Sequence, residues 1–295
     1  MKVLALIGPS ASGKTALAIE LAKPLNAIIL SLDSLCIYTQ INIASAKPSK
    51  EELREVLHFG VNIKNVDESF NAGDFGDEYK RALTYASANA KNLIITGGSG
   101  FYLASMLNGL APRVPRQQGH PSNDEIFALA SKQDAAFCAK FSANDTFRLQ
   151  KWYDIYSFLA CGAAGSLPPS VWLAQNTQPP LLANIPIFEL VWGKDELRQR
   201  IKKRTIKMLE DGLIDEARAL FSTYSADLKP LKSIGLKECG EFLHGQISDE
   251  SKLCELISTH TALLATHQRT FFNSSFKDAI KLAPNDAYNE ILKAL

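Results

Sequence analysis

The sequence lacks the features of a membrane protein and of a disulfide-stabilised secreted domain. No apolar run in its 295 residues approaches bilayer-spanning length, and no basic N-terminal segment precedes a long apolar stretch. Its five cysteines are odd in number and form no C-x-x-C pair, so they support neither a disulfide framework nor a zinc knuckle. These absences predict a soluble, cytoplasmic protein with reduced thiols and no membrane partner.

The overall charge does not indicate a particular class of binding partner. A formal net charge of +1 does not indicate a polyanionic partner, so any nucleic-acid surface must arise from local clustering. The densest basic cluster spans residues 198–204, with Lys207 beyond it. Taken alone, such a cluster is typical of a solvated helix face. A hydrophobic content of 46% is sufficient for a large α/β domain, or for a core with an appended lobe.

A phosphate-binding signature lies close to the start of the chain. An apolar run, residues 3–7, precedes it, and a helix-like stretch, residues 16–22, follows. The signature itself is Gly8, Pro9, Ser10, Ala11, Ser12, Gly13, Lys14 and Thr15. The pattern is a strand, then G-x-x-x-x-G-K-[ST], then a helix. Its glycines let backbone N–H groups converge on anionic oxygens. We therefore predict that residues 8–15 bind phosphate, with Lys14 on the outer oxygens and the Thr15 hydroxyl on Mg²⁺.

Alternating strand and helix patterns predict a parallel sheet flanked by helices. Buried strands are expected at residues 27–32 and 92–96, with helical spacing over 74–91 between them. Ligands of such sheets bind beyond the carboxyl ends of the strands. Asp33 and Ser99 follow two of these ends, so we expect both to face one crevice together with the phosphate loop.

Prolines scattered between residues 112 and 186 indicate an inserted, mainly helical lobe. Its clearest helix is expected to begin at residue 144 or 145 and to run towards residue 159, with Arg148 and Lys151 on one face. Residues 187–192 then predict a strand that returns to the sheet, followed by a helix over about 195–212. The predicted division is a catalytic core, 1–111 and 187–295, with a lobe at 112–186.

The residues that follow the neighbouring strands favour a transfer reaction over hydrolysis-driven work. The strand at 93–96 ends in Thr96 and two glycines, whereas motor and switch NTPases place a magnesium-holding acid there. Asp33 is placed to act as a general base on an acceptor, although it could instead cap the following segment. Ser99 could present its hydroxyl to the reacting group, or simply lie in a tight glycine turn.

In order along the chain, these segments resemble the bacterial type of the tRNA dimethylallyltransferase (tRNA isopentenyltransferase) family. The matching segments cover nearly the whole chain: 8–15, 33–38, 45–48, 72–75, 97–103, 144–151, 208–216 and 233–238. The resemblance implies a P-loop kinase-like core. It also implies transfer of a dimethylallyl group from dimethylallyl diphosphate to N6 of adenosine 37, in the anticodon loop of tRNAs reading codons that begin with U.

Residue roles follow from the same resemblance. Asp33, Ser99 and Lys14 would be catalytic, Mg²⁺ would be the cofactor, and the protein would act as a monomer on a tRNA anticodon stem-loop. The inserted lobe would bind the RNA. The implied tRNA contacts are Asp33, Ser34, Leu35, Cys36, Phe147, Arg148, Leu149, Gln150, Lys151, Lys232, Lys237, His267, Gln268 and Arg269.

Some positions depart from the family pattern. Cys36 stands where the family usually has glutamine, and Thr39, Thr266 and His267 replace usual basic residues. Three alternatives stay open at this point: a P-loop small-molecule or nucleoside kinase, a relative that prenylates free adenine nucleotides, and a catalytically weak tRNA-binding relative.

Overall fold

The computed structural model describes residues 1–162 and 167–295. The described chain divides into two compact units: Met1–Leu107 together with Leu182–Leu295, and Asn108–Leu181. We refer to the first as the core and to the second as the lobe. The lobe predicted at 112–186 overlaps the second unit. None of the helices in the described ranges is both long and apolar enough to cross a membrane.

The core is built on one parallel sheet, as the strand and helix alternation predicted. Among the described residues, six strands pair in the order β3-β2-β4-β1-β5-β6. Their bounds are β1 Val3–Ile7, β2 Ala27–Ser31, β3 His58–Phe59, β4 Asn92–Gly97, β5 Ile187–Leu190 and β6 Ile280–Leu282. Strand β1 lies between β4 and β5, pairing Leu6 with Thr96 and with Phe188. The phosphate loop therefore leaves the sheet near its centre.

The helices fall into three groups along the chain. Those before the lobe are α1 Lys14–Ala22, α2 Lys50–Glu55, α3 Ala72–Ala88 and α4 Gly100–Asn108. Those of the lobe are α5 Asn123–Gln133, α6 Ala135–Cys138, α7 Thr146–Cys161 and α8 Pro169–Asn176. Those after it are α9 Lys194–Glu210, α10 Leu213–Thr223, α11 Leu236–Leu243, α12 Glu250–Ser275 and α13 Pro284–Ala294.

Sequence and burial agree along the central strands. Residues 4–7 of β1 and 27–30 of β2 are buried, as continuous apolar runs in a doubly covered parallel sheet must be. Leu4 and Leu6 pack in one cluster with Ala18 and Leu21 of α1. This packing fixes the strand, loop and first helix as one unit. The loop is thus held on a rigid scaffold.

The lobe has a hydrophobic core of its own. Leu149 and Trp152 of α7 pack there with Ile126 and Phe137. Asp134 is buried among them, accepting hydrogen bonds from Trp152 Nε1 (2.9 Å) and Ser170 Oγ (2.6 Å). Because these donors satisfy the buried carboxylate, it can be accommodated in an apolar interior.

The chain leaves and re-enters the core at adjacent positions. Helix α4 runs to Asn108, and the chain rejoins the core at Leu182. The Leu182 N–H donates to the carbonyl of Met106 at 3.1 Å, and both side chains are buried. The two ends of the insertion are therefore joined directly within the core.

Candidate phosphate and acceptor site

The phosphate loop joins β1 to α1 through two left-handed residues. Ala11 has φ 64° and Gly13 has φ 89°, a region that alanine adopts only at a cost of roughly 1–2 kcal/mol. Gly13 precedes the first residue of α1 and provides no side-chain cap for that helix. The first amides of α1 are therefore oriented as in helix termini that bind anions.

One cavity of about 820 Å³ brings together the residues predicted to be catalytic. We call it the Asp33 cavity. Asp33, Ser99, Lys14 and Ser10 line it, although they come from segments up to 89 residues apart in the sequence. The carboxyl ends of β1, β2 and β4 thus converge on a single crevice, as parallel strand topology requires.

Asp33 follows β2, and its carboxylate is fixed by the turn after it. Its Oδ1 accepts the backbone N–H groups of Leu35 (2.8 Å) and Cys36 (3.2 Å). The two interpretations left open by the sequence are therefore compatible: Asp33 caps a turn, and the same side chain lines the cavity. The cap holds the carboxylate in place at the cavity wall.

Ser99 is brought close to the end of β2 by glycine. A Cβ at Gly97 would lie 2.6 Å from backbone and side-chain atoms of Leu32, so only glycine allows these two chain segments to approach. The Ser99 N–H donates to the Leu32 carbonyl at 3.2 Å. Ser99 therefore lies beside Leu32, the residue that directly precedes Asp33.

Two cations lie at the phosphate loop. Burial and the nearby Arg204 guanidinium lower the pKa of the Lys14 ammonium to about 8, and Asp33 opposes this shift. Burial also lowers the pKa of Arg204, against the attraction of the Asp33 carboxylate. Lys14 Nζ donates to the Pro9 carbonyl at 3.3 Å. Two neighbouring, partly desolvated cations form a site suited to a multivalent anion.

Arg204 is a functional candidate that the sequence interpretation missed. The expectation of a solvated face for residues 198–204 is wrong for Arg200 and Arg204, which are half-buried, whereas Lys202 and Lys203 are exposed. The missed signal is periodicity, since 200 and 204 are one turn apart and adjoin the buried Ile201.

A second cavity of about 780 Å³ lies on the Thr15 side of the phosphate loop, and we call it the Thr15 cavity. Five basic residues besides Lys14 and Arg204 contribute to its lining: Lys47, Lys50, Arg200, Lys203 and Lys207. Lys14, Arg204 and Met208 line both cavities. The two cavities therefore meet at the phosphate-loop lysine.

The Thr15 cavity offers a hydroxyl-bearing residue, Thr15, as a candidate ligand for a metal ion. In the described ranges no group of three His, Cys, Asp or Glu residues is placed to hold a metal ion. Thr15 contributes a hydroxyl to the lining, and this hard oxygen donor is compatible with Mg²⁺. Mg²⁺ commonly takes few protein ligands and keeps phosphate oxygens and waters, so the residues present fit this ion.

The predicted RNA contacts of the core divide into two groups. Ser34, Leu35, Lys232, His267 and Gln268 line the Asp33 cavity, whereas Cys36, Lys237 and Arg269 are not among its lining residues. The Cys36 side chain is 4% exposed, and its Sγ lies 3.8 Å from the Ser45 carbonyl oxygen. Burial raises the pKa of this thiol, which therefore stays neutral.

The predicted contacts of the lobe all lie on α7. Phe147 is 76% exposed, and Lys151 is exposed. Arg148 pairs with Asp145, and its guanidinium lies 4.7 Å from the Phe141 ring centroid. Gln150 is half-buried. Leu149 is fully buried in the lobe core, so its side chain has no surface to offer a ligand.

Comparison with known proteins extends this description. The IPP transferase family model matches residues 36–275. A tRNA dimethylallyltransferase of Campylobacter concisus is 53% identical, over 100% of this chain and 99% of its own. A tRNA isopentenylpyrophosphate transferase structure from Staphylococcus epidermidis is similar with a TM-score of 0.70 and 26% identity, covering 100% of this chain and 99% of its own. A eukaryotic dimethylallyltransferase structure gives a TM-score of 0.77 at 23% identity, covering 96% and 74% of the two chains.

The fold and the phosphate loop define an α/β protein of the P-loop kinase-like class. Within that class, a relative that is about half identical over the full length of both chains identifies the family. The chain belongs to the IPP transferase family, the family of the tRNA dimethylallyltransferases, and it is a transferase.

Proposed function

We propose that this protein transfers the dimethylallyl group of dimethylallyl diphosphate to N6 of adenosine 37 in the anticodon loop of tRNAs that read codons beginning with U. The observation that carries the proposal is the cavity in which the Asp33 carboxylate and the Lys14 ammonium meet. The names of the full-length relatives support the same reaction. The protein would act as a monomer in the cytoplasm.

The donor diphosphate would bind at the phosphate loop. Lys14 and Arg204 supply positive charge, and the first amides of α1 supply N–H donors. Mg²⁺, held by Thr15, would neutralise phosphate charge when bound. As the bond between C1 of the allyl group and the bridging oxygen breaks, negative charge grows on the departing diphosphate. Lys14 and Arg204 stabilise that charge.

The acceptor amine would approach from the Asp33 cavity. The N6 amine is a weak nucleophile because its lone pair is delocalised into the adenine ring. As the N6–C1 bond forms, the Asp33 carboxylate accepts the proton that the nitrogen loses. Ser99 lines the same cavity and would hydrogen-bond the reacting groups. In sum, one C–N bond forms, one C–O bond breaks, and the proton passes to Asp33.

RNA binding would require the target base to leave its stack, because a stacked base cannot enter a crevice above a sheet. Several residues at the Asp33 cavity suit an extruded nucleotide, and Phe101 among them is 62% exposed. An exposed aromatic ring offers a stacking surface for bases. On the lobe, Phe147, Arg148 and Lys151 would contact the anticodon stem-loop, and Leu149 would support them from within.

The test is the Asp33→Asn variant, assayed with labelled dimethylallyl diphosphate, Mg²⁺ and an unmodified tRNA transcript. The amide oxygen can still accept the turn N–H groups, so the variant should fold. It cannot act as a base, and we expect transfer to fall by about 10²- to 10⁴-fold, with pyrophosphate binding retained.

Asp278→Asn, at an exposed position, is the matched control and should behave as wild type. Full activity of Asp33→Asn would contradict the role of Asp33. ATP turnover without any allyl transfer by the wild type would instead support the kinase alternative.

A further inference from the structure

Trp192 lies in the middle of the short connection from β5 to α9 and contacts the phosphate loop without lining either cavity. Its indole Nε1 donates to the Ser12 carbonyl at 2.8 Å. The ring also lies 4.2 Å from the Arg200 guanidinium carbon, in a cation–π arrangement. Trp192 lines neither cavity, so it is placed to act on the loop and not on a ligand.

Arg200 extends this contact to the next peptide. Its Nε donates to the Ala11 carbonyl at 2.9 Å. Two successive loop carbonyls are therefore held by two side chains that stack on each other. Ala11 and Gly13 are both left-handed, so this stretch has no regular ladder to fix its peptide planes. Trp192 and Arg200 supply the missing restraint.

Because a peptide group is planar, fixing its carbonyl also fixes its N–H. The Ser12 carbonyl and the Gly13 N–H belong to one planar trans peptide and point in opposite directions. When Trp192 holds the Ser12 carbonyl towards the indole, the Gly13 N–H must point away from the indole. The indole N–H thus orients a donor that it does not touch.

We propose that Trp192 is a positioning residue for diphosphate binding, acting through the Ser12–Gly13 peptide with Arg200 as its stacked partner. The proposal rests on the proposed function, in which this loop binds the diphosphate of the donor. It adds to that function a residue outside the phosphate-binding signature.

The test is Trp192→Phe, which keeps an aromatic ring beneath Arg200 and removes the N–H donor. Calorimetric titration with inorganic pyrophosphate and Mg²⁺ should show about three- to tenfold weaker binding, as expected for one lost orienting hydrogen bond. The KM for dimethylallyl diphosphate should rise by the same factor. The kcat, and the KM for tRNA, should stay within about twofold of wild type.

Trp172→Phe, on α8 of the lobe, is the matched control and should leave pyrophosphate binding unchanged. Benzothienylalanine at position 192, which keeps the bicyclic shape of indole without its N–H, separates loss of the donor from loss of ring size. It should reproduce the effect of Trp192→Phe on pyrophosphate binding and leave the melting temperature unchanged.

Two results would overturn the proposal. One is unchanged pyrophosphate affinity in both position-192 variants. The other is an equal loss of pyrophosphate and tRNA affinity together with a lower melting temperature, which would show a general loss of structure. If wild-type protein itself bound no pyrophosphate, the proposed function would fail as well. Wild-type binding with unaffected variants would refute only the role of Trp192.

Discussion

Lys14 and Arg204 approach each other at the phosphate loop, where burial disfavours the charged form of both. Such an arrangement costs free energy in the unliganded protein and favours anion binding. Functional sites often keep groups that stability alone would not select. At the scale of single residues, the site should therefore be a local source of instability that a substitution can relieve.

Lys14→Met tests this idea through the pH dependence of stability. The pKa of Lys14 is lowered from 10.5 to about 8 in the folded protein. Between those values the unfolded chain binds more protons, so wild-type stability gains as pH rises through that window. Below pH 8 the full cost of burying the charge is present.

We expect Lys14→Met to be more stable than wild type at pH 7 by roughly 1–3 kcal/mol, after allowance for partial solvent screening. The difference should shrink between pH 8 and 10.5. Denaturant titrations at pH 7, 8.5 and 10 measure it, and Lys2→Met, at an exposed position, is a control for loss of charge. A variant less stable than wild type at pH 7 would contradict the expectation.

At the scale of elements, helix α10 anchors a loop that lines the Thr15 cavity. The Glu216 carboxylate accepts three successive backbone N–H groups, those of Asn42 (2.8 Å), Ile43 (2.9 Å) and Ala44 (2.9 Å). Lys47 closes the same loop by donating to the Tyr38 carbonyl at 2.8 Å. The shape of one cavity wall therefore depends on a carboxylate from a distant helix.

Glu216→Ala should free the loop at residues 42–44 from helix α10. We expect a loss of about 2 kcal/mol of stability and amide exchange at residues 42–44 faster by about tenfold or more. The KM for dimethylallyl diphosphate should rise, because the loop lines the Thr15 cavity. Hydrogen-exchange mass spectrometry measures the local effect. Glu255→Ala, which breaks only an exposed pair with Lys252, should leave exchange in the loop unchanged.

The sequence predicted the longer strands of the sheet and missed the two shortest ones. Strands β1, β2, β4 and β5 are mainly apolar and largely buried, a pattern that the sequence reveals, and the loop after β1 carries its own signature. Strands β3 and β6 have two and three residues, and Ile280 in β6 is 46% exposed. Only pairing with a neighbour defines such strands, and a single sequence does not show pairing.

For the site, the sequence identified positions but not the direction of side chains. Asp33 and Ser99 were placed correctly at strand ends, because parallel topology determines where those ends meet. Arg204 was missed, and Leu149, which the resemblance implied as a tRNA contact, has a buried side chain. Both residues show that the sequence did not determine which face of a helix is turned inwards. A motif alone does not determine that, since it depends on packing with segments far away in sequence.

At the scale of the whole molecule, the proposed reaction joins two tasks, diphosphate chemistry in the core and RNA binding in the lobe. A double variant, Phe147→Ala with Lys151→Ala, should weaken binding of an anticodon stem-loop by about tenfold, through loss of a stacking surface and a phosphate contact. Pyrophosphate affinity should not change. Fluorescence anisotropy at two salt concentrations measures both the loss and its charge dependence.

Lys80→Ala, at an exposed position on α3 of the core, serves as the charge control for this variant and should bind the stem-loop like wild type. Equal stem-loop affinity for the double variant and wild type would contradict a role of α7 in RNA binding.

The hydrogen bond between Leu182 and Met106 has an evolutionary consequence. The chain leaves and rejoins the core at two positions that are hydrogen-bonded to each other. We therefore expect that the segment between them can lengthen, shorten or be replaced while the central strands keep their register. We also expect recognition of the acceptor to be able to change independently of the diphosphate site. A chimera that carries the lobe of another family member, grafted between positions 107 and 182, should keep its affinity for the diphosphate leaving group. It should acquire the RNA preferences of the protein from which the lobe was taken.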